Sequence, residues 1–311
     1  MSRVDTDAMQ RYEQTRDDLV ARLLAIEESI GDERRTSIVR IRTHLARAKF
    51  VLAVVGEFSS GKSFLLNALL GKYRYEDTPG GRRVAGLLAT DINPSTATIT
   101  ELEYGDSDIA TAVYEDGRTE RIPLDRLNRF IAVGSGDTGT IHEATKDTSP
   151  SLGAPSDAPV RVVVSANSPF LERGFVVADT PGLASINPAH RRATLQFLPT
   201  ADAVLYLIDT QQPFTEGDAS FLGIVRRYIE SVFIVQTKID LWRMREGPAA
   251  APGNDEPQRE GWQGAAQRII AQAALHAPGT PVFPLSAREY AEGSLTGDAA
   301  LVAQSRFPEF L

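Results

Sequence analysis

The chain has 311 residues, of which 42% are hydrophobic, 24% charged and 7% aromatic. This suits one large α/β domain or two small ones and excludes a disordered or fibrous chain. Cysteine is absent, which excludes disulfide frameworks, thiolate zinc sites, iron–sulfur clusters and cysteine nucleophiles together and fits a reducing compartment. The net charge of −8, from 33 basic and 41 acidic residues, argues against attraction of the whole surface to nucleic acid or anionic lipid.

The N-terminus, MSRVDTDAMQ, lacks the apolar core of a signal peptide, and no apolar run approaches the roughly 18 residues needed to span a bilayer. From Asp5 to Ile30 the spacing of Tyr12, Leu19, Leu23, Ile26 and Ile30 predicts a helix with one apolar stripe. A second helix is expected from Glu33 to Lys49, with Ile38, Ile41 and Leu45 on one face. Arg34, Arg35, Arg40, Arg42, Arg47 and Lys49 surround that face and read as its solvated side.

At Phe50 the pattern changes to a continuous apolar run, FVLAVVG, as in a strand buried on both faces of a parallel sheet. Similar runs lie at 160–165, 175–178, 203–209, 232–236 and 281–285, separated by segments long enough for helices, so a three-layer α/β sandwich is expected. Strands at 98–104, 109–114 and 118–122 are expected to add antiparallel pairing at one edge. Three stretches read as loose: 76–93, which contains TPGGRR, 134–159 and 246–261.

Gly56-Glu57-Phe58-Ser59-Ser60-Gly61-Lys62-Ser63 matches the phosphate-loop pattern GxxxxGK[ST] between a strand and a helix that opens at Phe64. Gly56 and Gly61 allow successive N–H groups to turn toward phosphate oxygens, and the helix N-terminus adds partial positive charge. Lys62 can reach the β and γ phosphates while the Ser63 hydroxyl ligates Mg²⁺. Asp179-Thr180-Pro181-Gly182 follows the strand FVVA, where a nucleotide triphosphatase needs an acid near the metal and a glycine N–H that senses the γ-phosphate.

Thr237-Lys238-Ile239-Asp240 matches [NT]KxD after the strand VFIVQ. The stem of Lys238 can lie across a purine, and the Asp240 carboxylate can accept from guanine N1–H and the 2-amino group, donors that adenine lacks there. Ser286-Ala287-Arg288 resembles the weaker SAK element that approaches the guanine carbonyl. Between the first two motifs, a threonine of NPSTATIT can complete the metal shell. Thr90, Thr96, Thr98 and Thr100 compete, and Thr96 is chosen because Thr98 and Thr100 fall inside the following strand. The metal set is therefore Ser63 and Thr96, with Asp179 outside the direct ligands. Together these elements predict GTP as substrate, GDP as product and Mg²⁺ as cofactor.

The stretches GEFSSGKSFLLNALLG, NPSTATITELEYG, DTPGL and TKIDL resemble, in this order, the bacterial dynamin-like proteins. The resemblance implies residues 1–49 as part of a helical neck, 50–290 as the GTPase domain and 291–311 as the start of a truncated C-terminal neck. It further implies GTP hydrolysis, pairing of GTPase domains as a homodimer or heterodimer, and membrane remodelling. Lipid would be contacted through regions absent from this chain, and the location would be cytoplasmic at the inner face of the membrane. Leu183 stands where Ras-like GTPases place a water-orienting glutamine, so the resemblance assigns catalysis to Ser59, with a monovalent cation, K⁺ or Na⁺, beside it. Backbone groups around Thr96 and Gly182 would hold the water. Phe58 departs from the glutamine of eukaryotic dynamins. The alternatives are a switch GTPase of the ribosome-assembly type, which the acidic charge and the expectation of no nucleic-acid partner disfavour, and a GTP-binding scaffold with negligible hydrolysis.

Overall fold

The computed structural model describes residues 3–31, 35, 38–39, 41–42, 45–46, 49–57, 59–78, 81–88, 98–114, 116–127, 159–180, 194–195, 197–212, 214–245 and 261–311. They fall into two compact units, 1–50 and 51–311.

In the first unit, helix α1 (Arg3–Ser29) runs for 27 residues, about 40 Å at the α-helical rise. The described positions from 35 to 46 are also helical, as expected. The face that α1 covers differs from the predicted stripe. Arg16, Val20, Leu23, Glu27 and Ile30 are half-buried, whereas Tyr12, Leu19 and Ile26 are exposed. The rotation follows the charges: Arg42 Nε donates to Glu27 Oε2 at 2.8 Å and Arg35 lies 4.0 Å from the same carboxylate.

The second unit is built on a nine-stranded sheet in the order β11-β10-β9-β1-β8-β4-β7-β5-β6. The strands are β1 (Phe50–Gly56), β4 (Ile99–Tyr104), β5 (Ile109–Val113), β6 (Thr119–Ile122), β7 (Arg161–Ala166), β8 (Phe175–Asp179), β9 (Ala203–Asp209), β10 (Ser231–Thr237) and β11 (Val282–Pro284). The continuous apolar runs are explained by burial on both faces. Leu52 and Val54 of β1, with Leu205 and Leu207 of β9, join one core, while Ala53, Val55, Val204 and Tyr206 join the other.

The first core is closed by α2 (Lys62–Leu70), through Leu65, Leu66 and Leu69, and by Ala287 of α7 (Ala287–Thr296) and Phe307 of α9 (Phe307–Phe310). Phe307 is fully buried and stacks on Tyr290 at 4.2 Å, so the last helices pack within this unit. The second core is closed by α4 (Glu216–Val225) and α6 (Trp262–His276), through Phe221, Leu222, Ile269 and Ala273. Three short helices complete the described set: α3 (Pro169–Glu172), α5 (Asp240–Arg245) and α8 (Ala299–Gln304).

The sandwich is the α/β fold predicted, with two differences. Strand β4 is not at the edge: it lies inside the sheet, antiparallel to β8 and parallel to β7, and the antiparallel edge is β5 with β6. The stretch 76–93, expected to be loose, is partly ordered as the hairpin β2 (Tyr73–Thr78) and β3 (Gly81–Gly86). Residues 79 and 80 lie outside the described residues, and cross-strand contacts join the two flanking strands. Arg82 lies 4.2 Å over the Tyr75 ring and Arg83 pairs with Glu76 at 3.1 Å. The other stretches expected to be loose, 134–159 and 246–261, lie outside the described residues except for positions 159 and 261.

Candidate nucleotide site

The phosphate loop leaves β1 at Gly56 and enters α2 at Lys62. A Cβ at Gly56 would sit 2.7 Å from Ser60 Oγ and 2.8 Å from the Leu207 carbonyl oxygen, so the loop closes back on the sheet only without a side chain there. Ser59 adopts a left-handed conformation (φ 62°), as does Gly61 (φ 90°), which caps α2. Ser60 is buried and its hydroxyl has no partner among the described residues. Lys62 Nζ donates to the Gly56 and Glu57 carbonyls at 3.0 and 2.9 Å, folding its ammonium over the loop. Burial lowers its pKa, against the opposing charges of Asp179 and Glu57. Burial in turn pushes the Glu57 carboxyl up, helped by Asp218. Ser63 and Phe64 open the helix, half-buried.

Asp179 ends β8, next to β1 in the sheet. Burial raises its carboxyl to about 6, with Lys62 pulling the other way, and its Oδ1 is buried without a partner among the described residues. A buried, unpartnered carboxylate oxygen within the field of the phosphate-loop lysine can accept from the water shell of a divalent cation held at Ser63, so the residues fit Mg²⁺. Thr180 is fastened to β1, its hydroxyl donating to the Val54 carbonyl at 2.9 Å.

The base-reading motif is fastened to the phosphate loop. The Thr237 hydroxyl donates to the Ser60 carbonyl at 2.7 Å, across 177 residues of sequence. Lys238 is left-handed (φ 60°) and Asp240 is buried in the first turn of α5. Ser286 is buried and caps α7 by accepting from Glu289 N at 3.1 Å. Arg288 pairs with Glu292 at 2.9 Å, and that hydrogen bond, with smaller contributions that include Asp240, raises its pKa. The structure thus gathers Gly56, Glu57, Ser59, Ser60, Gly61, Lys62, Ser63, Asp179, Thr237, Lys238, Asp240 and the start of α7 at 286–288 at the ends of β1, β8, β10 and β11. Phe58, Thr96 and Gly182 lie outside the described residues. Unexpected from the sequence is an ion pair between Lys238 Nζ and Asp209 Oδ2 at 2.7 Å. No motif marks Asp209, and only the β9–β10 register, which sets it opposite Thr237, could have signalled it.

Residues 52–239, more than half of the chain, match the Dynamin family. The chain belongs to the dynamin family. Its phosphate loop, β8 acid and TKID turn are therefore parts of a dynamin-superfamily GTPase domain. Relatives include the isoniazid-induced protein IniA of Mycobacterium tuberculosis, 29% identical over 67% of this chain and 29% of its own length. Another is dynamin-like protein A of Bacillus subtilis, 26% identical over 72% of this chain and 22% of its own. Among solved structures, an oligomerised bacterial dynamin pair, described as a mechanism for long range sensing and tethering of membranes, has a similar fold. The TM-score is 0.55 and the identity 20%, over 100% of this chain and 51% of that one. The chain spans a quarter to just over half of the relatives it matches first: 56%, 29% and 25% of their lengths.

Proposed function

We propose that this dynamin-family domain binds GTP with Mg²⁺ and hydrolyses it to GDP and phosphate, as the nucleotide-dependent motor of a longer membrane-remodelling protein. The observation that carries the reading is the Thr237–Ser60 hydrogen bond, which joins the guanine-reading turn to the phosphate loop as one rigid nucleotide cradle. A base held by Asp240 thereby fixes where the phosphates lie.

In this reading Lys62 exchanges its two carbonyl partners for β- and γ-phosphate oxygens, and the N–H groups at the start of α2 take the rest of the charge. Ser63 and Thr96 would hold Mg²⁺, with Asp179 accepting from its water shell, and the ion when bound neutralises the charge shared by the β and γ phosphates. Backbone groups near Thr96 and Gly182 orient a water whose oxygen attacks the γ-phosphorus as the bond to the bridging oxygen breaks. Ser59, exposed on the loop and already left-handed, is suited to a contact made with the triphosphate and a K⁺ or Na⁺ ion when two domains pair. Among the described residues no helix is long and apolar enough to cross a membrane, so contact with lipid would be peripheral or supplied by other parts of the protein.

Phosphate release across a range of protein concentrations, with GTP or ATP and with K⁺, Na⁺ or neither, tests the proposal. Turnover per molecule that rises with concentration, on GTP only, is expected. A preference for ATP would overturn the reading of Asp240, and no release at any concentration would leave a GTP-binding scaffold.

A further inference from the structure

Lys238 is held by the protein itself. Its backbone is in the left-handed region (φ 60°), which fixes where the side chain leaves the chain. Its ammonium then meets Asp209 Oδ2 at 2.7 Å. That carboxylate is itself fixed: the Asp209 side chain is only 8% exposed, and its other oxygen accepts from Gln211 N at 2.9 Å in a turn closed by Gln212 N on the Asp209 carbonyl at 3.0 Å. The turn is joined to the base-reading strand twice over, by the register that sets Asp209 opposite Thr237 and by Thr210 N donating to the Thr237 carbonyl at 3.1 Å.

We propose that Asp209 is a positioning residue for base recognition, holding the Lys238 stem extended as a preformed platform for the purine. The inference rests on the guanine-nucleotide reading above and deepens it. Two physical effects follow from the pair. A lysine stem has several rotatable bonds, and a stem already ordered in the free protein loses less freedom when a ring settles on it. The guanine ring is uncharged, so an ammonium neutralised by a fixed carboxylate presents its four methylenes as flat apolar surface and keeps its charge off the base. Asp209 therefore acts through Lys238, and its contribution is common to GTP and GDP, which share the base.

The test is a double-mutant cycle on the whole chain, with fluorescent GDP and GTP analogues as probes and thermal melting recorded for every variant. Asp209→Asn keeps the turn acceptor and removes the charge. It is expected to weaken both nucleotides about tenfold, ~1.4 kcal/mol, while in a Lys238→Met background the same change costs less than twofold. An equal loss in both backgrounds would show that Asp209 only supports the turn, and no loss in the wild-type background would show that the pair is incidental; either overturns the proposal. Should Asp209→Asn not fold, Asp209→Glu runs in the same cycle: a loss confined to the Lys238 background supports the role and a loss in both overturns it. Wild-type protein that binds neither nucleotide overturns the underlying reading, and this proposal with it.

Discussion

Ser59 and Asp179 carry opposite lessons about single residues in this site. Ser59 sits in a left-handed conformation that a non-glycine residue adopts at some cost, and alanine bears nearly the same cost. Ser59→Ala therefore isolates the hydroxyl. If that hydroxyl acts on the transition state, kcat falls at least tenfold while the GTP dissociation constant stays within threefold, as read by stopped-flow binding and phosphate release. Ser59→Gly, which relaxes the backbone, should show the same kcat loss; recovery there would point to strain instead. Asp179 is a liability without ligand. Its carboxyl is raised by burial from 3.8 to about 6, so the folded state resists the charged form and stability falls as pH rises through that window. Asp179→Asn should stabilise the nucleotide-free domain by about 3 kcal/mol at pH 7.5 and by roughly half that at pH 5, a difference that urea melts at the two values would show. A gain independent of pH would assign the effect to packing. The residue types of this site were legible from the sequence because phosphate, metal and guanine each demand particular donors at fixed spacing. Asp209 was not legible, because its partner stands 29 positions away in sequence and meets it only through strand register.

Elements were legible where both faces of a strand are buried, since β1, β9 and β10 then read as unbroken apolar runs. The β2–β3 hairpin was hidden because the contacts around it include a stacked guanidinium, an ion pair and a buried amide, none of which changes hydropathy. That amide belongs to Asn67 of α2. Its Nδ2 donates to the Leu88 carbonyl at 2.8 Å and its Oδ1 accepts from Leu88 N at 2.9 Å, so the phosphate-loop helix holds the chain just past the hairpin as a strand neighbour would. Gly86 lies flat against this amide: a Cβ there would stand 2.1 Å from Asn67 Cγ and 2.2 Å from Nδ2. The contact is with a buried side chain that cannot swing away without abandoning both hydrogen bonds. Gly86→Ala should therefore cost about 2–4 kcal/mol, lowering the melting temperature by roughly 5–15 °C. Asn67→Ala, which removes the obstacle and both hydrogen bonds together, should make the second change almost free: Asn67→Ala with Gly86→Ala is expected to be no less stable than Asn67→Ala alone. Additive losses would mean that Gly86 matters for some other contact.

At the scale of the whole molecule, every described motif residue belongs to the unit 51–311, whose two cores cover both faces of one sheet. The last helices are part of this body, because Phe307 is buried in the first core and Ser286 N donates to the Ser305 carbonyl at 2.9 Å, tying the N-terminal end of α7 to the C-terminal segment. The helical N-terminal unit has a different character, with Tyr12, Leu19, Leu24 and Ile26 of α1 all exposed, which suits a segment whose burial is completed in an assembly or a longer chain. These observations place the core and the described motif residues in the second unit. A protein beginning at Lys49 should keep its melting transition and bind GDP and GTP within threefold of the full chain. A ligand that binds only the folded state at 1,000 times its dissociation constant adds about 4 kcal/mol of stability, so saturating GDP should raise the melting temperature of both proteins by the same several degrees. If the N-terminal helices take part in the proposed pairing, the shortened protein should associate more weakly than the full chain in light scattering with a transition-state analogue of GTP, and no more weakly with GDP. Loss of nucleotide binding itself, with the melting transition intact, would show that the first unit completes the site.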